Sequence, residues 1–95
     1  MAPEPGQAKT PGTPVTVRLY AAARSAAGRD ELTMSPGALH DVLTTATTQL
    51  PSGFAAMLES CSVLVDGLAV DADVEPEYPV APGSTIDILP PFAGG

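Results

Sequence analysis

The sequence predicts an α+β domain in which one main helix packs against one sheet. Three observations predict it. Short stretches near both ends alternate apolar and polar residues with the period of two that a half-buried strand requires. One stretch between them repeats apolar residues at helical spacing. A further apolar run is split by an Asp-Gly pair, the signature of a tight hairpin. The order along the chain reads β-β-α-(α)-β-β-β.

The first strand is "VTVRLY", Val15 to Tyr20, with Val15, Val17 and Leu19 on one face. "AAARSAAG" follows. It is too short for a stable isolated helix, so it reads as a loop with one helical turn that Gly28 can end. "DELTM" alternates again, with Leu32 and Met34 inward, and completes a hairpin with a long connection. In "SPGALHDVLTTATTQLP" the residues Leu39, Val42, Leu43, Ala46 and Leu50 form one apolar stripe. Ser35 is placed to cap this helix, Pro36 suits its first position and Pro51 stops it. Its four threonines are mediocre helix formers, so packing on the sheet must stabilise it. "SGFAAMLES" reads as a short second helix presenting Phe54, Met57 and Leu58. "CSVLVDGLAV" gives two strands around Asp66-Gly67. Asp71–Pro79 is acidic and broken by proline, hence a loop. Pro82-Gly83 supplies a turn before the last strand, "STIDIL", with Ile86 and Ile88 inward.

Size and charge narrow the function. A chain of 95 residues is expected to form one domain, with little room for a deep internal active site. Eleven Asp and Glu against four Lys and Arg give a net charge of -7. That charge repels phosphate backbones and anionic lipid, so neither nucleic acid nor membrane is an expected partner. No apolar run approaches the ~20 residues of a membrane span. The first residues have no apolar core segment and do not read as a signal peptide. With a single cysteine, Cys61, these points make the cytoplasm the expected location. Residues 1–14 carry four prolines and almost no large apolar group, and read as a disordered leader. The domain is expected to occupy residues 15–89, and residues 90–95 form a tail.

The usual catalytic constellations are missing from the sequence. Asp66, Asp71, Asp73, Glu75 and Glu77 fall in turns and loops and read as a solvated rim. His40 lies off the apolar stripe, and neighbours on a helix such as Asp41 do not face it. Cys61 has no basic neighbour in sequence to lower its pKa and reads as a structural thiol. No glycine-rich phosphate loop and no metal-ligand spacing is present. The unusual feature is the tail, "LPPFAGG". Pro90 and Pro91 favour an extended conformation. Phe92 and Ala93 follow. Gly94 and Gly95 lack side chains and can thread a channel that a Cβ would block. The only functional group at such a tip is the α-carboxylate. Physical chemistry alone leaves two readings open, a presented carboxylate or an incidental flexible end.

"VTVRLYAAARSAAG", "CSVLVDG" and "ILPPFAGG", in this order and spacing, resemble the MoaD/ThiS family of sulfur carriers over about residues 15–95. The Pro-Pro-x-x-Gly-Gly end looks most like the small subunit of molybdopterin synthase. The resemblance implies a ubiquitin-like β-grasp fold, a mixed sheet with the last strand parallel to the first at its centre. It also implies the chemistry. An E1-like adenylyltransferase uses ATP to adenylate the Gly95 carboxylate, and a sulfur donor protein then converts it to a thiocarboxylate. On the large subunit of molybdopterin synthase, that sulfur goes to a pterin precursor. The chain itself is expected to hold no permanent cofactor and no metal. In this reading Gly95 bears the reactive group, Gly94 gives it access, and Pro90 and Pro91 stiffen the stalk. Arg24 meets acidic groups on partners, and Tyr20 and Leu89 join an outward docking patch. Phe92 and Ala93 depart from the Val and the Ser or Thr often found there, the helix start lacks the family's Thr cap, and the Asp71–Pro79 loop is unusually acidic. A carrier for thiamine, cysteine or a specialised metabolite, and a ubiquitin-like protein modifier, are the alternatives.

Overall fold

A computed structural model describes residues 13–91. The leader expected over residues 1–12 and the tail residues Phe92 to Gly95 lie outside the described residues. The elements in order are β1 (Val15–Leu19), α1 (Ala21–Ala27), β2 (Glu31–Met34), β3 (Gly37–Ala38), α2 (Leu39–Thr48), α3 (Phe54–Leu58), β4 (Ser62–Val65), β5 (Leu68–Ala69), β6 (Pro79–Val80) and β7 (Thr85–Leu89). Five strands form a mixed sheet in the order β2-β1-β7-β4-β5. The central pair, β1 and β7, is parallel, and the other pairings are antiparallel. This is the ubiquitin-like β-grasp arrangement, with the last strand inserted beside the first.

Alternation in the sequence sets the two faces of the sheet. Val15, Val17, Leu19, Leu32, Met34, Val63, Val65, Ile86 and Ile88 are buried on the inner face. The α2 stripe Leu39, Val42, Leu43, Ala46 and Leu50 packs on them, and Phe54 of α3 completes the same core. Burying a side chain of this kind stabilises by about 1.5–3 kcal/mol. That gain holds a threonine-rich α2 whose intrinsic propensity is poor.

Three expectations are corrected. "AAARSAA" is a helix of seven residues rather than a loop with one turn. Tertiary packing supplies what the short stretch lacks, since Ala23 and Ala27 are buried in the core. Gly28 ends it as expected, at φ 75°, donating its N–H to the Arg24 carbonyl. Ala21 enters α1 at φ 50°, a left-handed conformation that costs an alanine about 1–2 kcal/mol.

The second correction concerns the start of α2. Ser35 and Pro36 neither cap nor open it: the helix begins at Leu39 with Ala38 as a non-bonding cap. Gly37 and Ala38 instead pair with Val80 and Pro79. The exposed N–H groups of the first turn are satisfied by the acidic loop. Leu39 donates to the Tyr78 carbonyl at 2.8 Å and His40 to the Pro76 carbonyl at 2.9 Å. Backbone acceptors thus replace the side-chain cap. The third correction follows from the second, because the stretch read as loop to Pro79 ends in a strand, β6.

At one end of the sheet Asp66, at φ 50° in the β4–β5 turn, ties that turn to the start of β7. Its carboxylate accepts from the Ser84 hydroxyl at 2.8 Å and from the Thr85 N–H at 2.9 Å. Ser84 is the one polar residue buried among those described. The opposite end of the sheet is where the tail begins.

Candidate functional site at the root of the tail

Because β1 and β7 run parallel, both finish at the same end of the sheet. The Tyr20 N–H donates to the Ile88 carbonyl at 3.3 Å and fastens the two ends together. Leu89 and Pro90 are half-buried there and Pro91 is exposed. The tail therefore starts from β7, the central strand of the sheet, with the end of β1 beside it.

The outer face of the same strands carries polar groups. Register places Glu31, Arg18, Asp87, Leu64 and Ala69 in one row across the five strands. Arg18 Nε meets Asp87 Oδ1 at 2.8 Å, with Nη2 3.5 Å from Oδ2. The Tyr20 hydroxyl donates to the same Oδ1 at 2.9 Å. One carboxylate thus holds two side chains from β1 and its C-terminal end. That hydrogen bond, and then the charge of Asp87, push the Arg18 guanidinium above its ordinary pKa. The Tyr20 phenol is also pushed up, because ionising it would lose its hydrogen bond to Asp87. Tyr20 remains 36% exposed, so its ring edge is offered to solvent while its hydroxyl is fixed.

Leu89 lies opposite Ser62 on β4 and, with Tyr20 and Leu64, brings apolar surface to this face. Arg24 sits on α1, exposed, with its side chain in no hydrogen bond or ion pair among the described residues. Its backbone N–H donates to the Tyr20 carbonyl at 3.3 Å, which puts it at the same end of the molecule. The site-residue expectations made from sequence thus fall at one pole as far as Pro91. Gly94 and Gly95, with Phe92 and Ala93, lie outside the described residues. Sequence reasoning missed Arg18 and Asp87. They are the polar positions of the two alternating strands, and only the parallel register shows that opposite charges meet.

The ThiS family model matches residues 17–95, from the middle of β1 through the last glycine. The chain belongs to the ThiS family. This is a family of ubiquitin-fold sulfur carriers and modifiers. Solved structures with the same fold include small archaeal modifier protein 1 from Methanosarcina acetivorans, 29% identical with a TM-score of 0.72, covering 87% of this chain and 97% of that one. The protein of the same name from Haloferax volcanii has a TM-score of 0.73 at 18% identity, over 86% of this chain and 99% of that one. A complex of subunits 1 and 2 of molybdopterin-converting factor from Helicobacter pylori gives 0.64 at 20% identity, over 87% and 100%. No curated protein matches the chain in sequence.

Within this ThiS-family domain the other chemical candidates make no hydrogen bond to the tail pole's polar cluster, although Cys61 adjoins Ser62, the residue opposite Leu89. Cys61 is half-buried and its thiol donates to the Met57 carbonyl at 3.3 Å. Burial pushes its pKa up, which suppresses the reactive thiolate. His40 is exposed, with Nε2 3.5 Å from the Thr44 hydroxyl. Both line an open groove of about 560 Å³ between α2, α3 and β4. No described helix is long and apolar enough to cross a membrane.

Proposed function

We propose that this chain carries sulfur on the Gly95 carboxylate and delivers it as the small subunit of a molybdopterin synthase in the cytoplasm. The observation that carries the reading is the family match running through Gly95, on a chain whose tail is rooted at the centre of a rigid sheet. A carboxylate oxygen is a poor leaving group. An E1-like adenylyltransferase overcomes this with ATP, joining the Gly95 carboxylate to AMP and releasing pyrophosphate. A sulfur donor protein then supplies sulfur, the C–O bond to AMP breaks, and a thiocarboxylate remains. In this reading catalysis belongs to the partner enzymes. The chain's contribution is to tether a reactive end to a docking face.

That face is the outer side of β1 and β7. Tyr20, Leu64 and Leu89 offer apolar contact, Asp87 fixes Tyr20 and Arg18 in place, and Arg24 flanks them. The likeness to subunit 1 in the Helicobacter pylori complex supports a large subunit as one partner. Intact mass measurement after incubation with an adenylyltransferase, ATP and a sulfur source tests the reading. Exchange of one oxygen for one sulfur at Gly95 is expected. Growth of a strain lacking the molybdopterin synthase small subunit, restored by this chain, tests the pathway. Restoration of a thiamine-requiring strain instead would assign the sulfur elsewhere.

A second reading has its own support, the 29% identity to a small archaeal modifier protein. In that reading the activated Gly95 is joined to lysine amines of other proteins. Isopeptide-linked conjugates in lysates would favour it, and their absence after activation counts against it.

A further inference from the structure

The cations at the tail pole are of one chemical kind. The chain has four Lys and Arg in total: Arg18, Arg24, Arg29 and a single lysine, Lys9. All three arginines stand at the end of the sheet from which the tail departs, together with Asp30, Glu31 and Asp87. Arg18 lies beside Asp87 on the neighbouring strand. The Arg24 N–H bonds the Tyr20 carbonyl, and the Tyr20 N–H bonds the Ile88 carbonyl. Arg29 donates from Nε to the Glu31 carbonyl at 3.0 Å, and Glu31 pairs with Arg18. With strands about 4.8 Å apart, Arg18 and Arg29 stand within roughly two strand spacings of β7. Six residues, Pro90 to Gly95, can reach about 20 Å. The activated end is therefore tethered within reach of this cluster.

An acyl-adenylate or thioester at Gly95 is an acylating agent. A lysine amine in reach would attack the acyl carbon, form a C–N bond, expel AMP or thiol and lose a proton. A short tether brings such a group to an effective concentration in the millimolar range. Arginine gives the same charge but is not deprotonated in proteins and offers no nucleophile. The described residues contain no lysine at all. Their one thiol, Cys61, adjoins Ser62 opposite Leu89, but it is half-buried and donates to the Met57 carbonyl.

We infer that the tail pole carries its cations as arginines and offers no amine, so that the activated Gly95 finds no amine acceptor among the described residues of its own domain and is kept for other molecules. Lys9, outside the described residues, is then the one side-chain amine at which this chain can itself be acylated. The inference rests on the proposed activation of Gly95, but its test does not need an activating enzyme. The full chain is prepared as a Gly95 alkyl thioester, with the α-amine acetylated and Lys9→Arg.

Held at mildly alkaline pH, this protein hydrolyses to the free acid and forms no internal bond. Arg18→Lys, Arg24→Lys and Arg29→Lys are then introduced singly. At least one loses its thioester roughly tenfold faster or more, and peptide mapping finds Gly95 joined to the new lysine. Two results overturn the inference: an internal bond in the lysine-free protein, at Cys61 or elsewhere, or no lysine variant reacting faster than that protein. Because the thioester is made chemically, failure of enzymatic sulfur loading leaves this result unaffected. The two readings therefore fail separately.

Discussion

The two faces of the central strand pair have the same backbone and opposite duties. Inward, Val15, Val17 and Leu19 of β1 meet Ile86 and Ile88 of β7, each at most 2% exposed. Outward, one residue along, Arg18 and Asp87 form an ion pair with exposures of 49% and 15%. The inner face decides whether the domain folds. The outer face contributes less to folding, because half-exposed Arg18 exchanges water for Asp87 at little net gain, and it is free to recognise a partner. Successive residues of a strand serve both, so β7 couples a stable core to the root of the tail proposed to carry sulfur.

Changes on the inner face should have the largest effect on stability. Ile86→Ala removes a fully buried side chain and should cost about 2–5 kcal/mol, read from denaturant unfolding. The fraction that remains folded should still accept sulfur. A smaller loss is expected where β7 begins. Asp66→Ala strips the buried Ser84 hydroxyl and the Thr85 N–H of their acceptor, for about 1–3 kcal/mol in the same measurement.

The outer face should show the reverse pattern. Asp87→Ala frees Arg18 and Tyr20, both bathed by solvent, so unfolding free energy should change by less than about 1 kcal/mol. Affinity for the activating enzyme or large subunit, measured calorimetrically, should fall roughly tenfold, about 1.4 kcal/mol. A stability loss as large as that of Ile86→Ala, with unchanged affinity, would erase the distinction between the faces. Cys61→Ser belongs to neither face's function and should leave sulfur loading unchanged. Its burial raises the thiol pKa, so the thiolate forms only at higher pH than in the unfolded chain. Alkylation of Cys61 near pH 8 should accordingly be several-fold slower in the native protein than in urea.

Much of this comparison could be read before any coordinates. Alternation fixed which residues of β1, β2 and β7 point inward, and the helical stripe named every core residue of α2, because burial writes a period into the chain. What the sequence hid is non-local. Ser35 and Pro36 looked like a helix start, yet the first turn of α2 is satisfied by carbonyls of Pro76 and Tyr78, distant in sequence. The seven-residue α1 depends on burial of Ala23 and Ala27 that no propensity encodes. Arg18 and Asp87 were legible as polar strand positions, but not as partners across 69 residues. Tyr20, Arg24 and Leu89 were singled out by family resemblance, and the fold gathers them at one pole.

The central claim is that the working group of this molecule is the Gly95 carboxylate. It is tested most directly by adding one residue after Gly95 and measuring the intact mass after incubation with adenylyltransferase, ATP and a sulfur source. The account predicts that the extended protein folds with unchanged stability and gains no sulfur, while the parent chain exchanges one oxygen for one sulfur. An extended protein that still carried sulfur would contradict it.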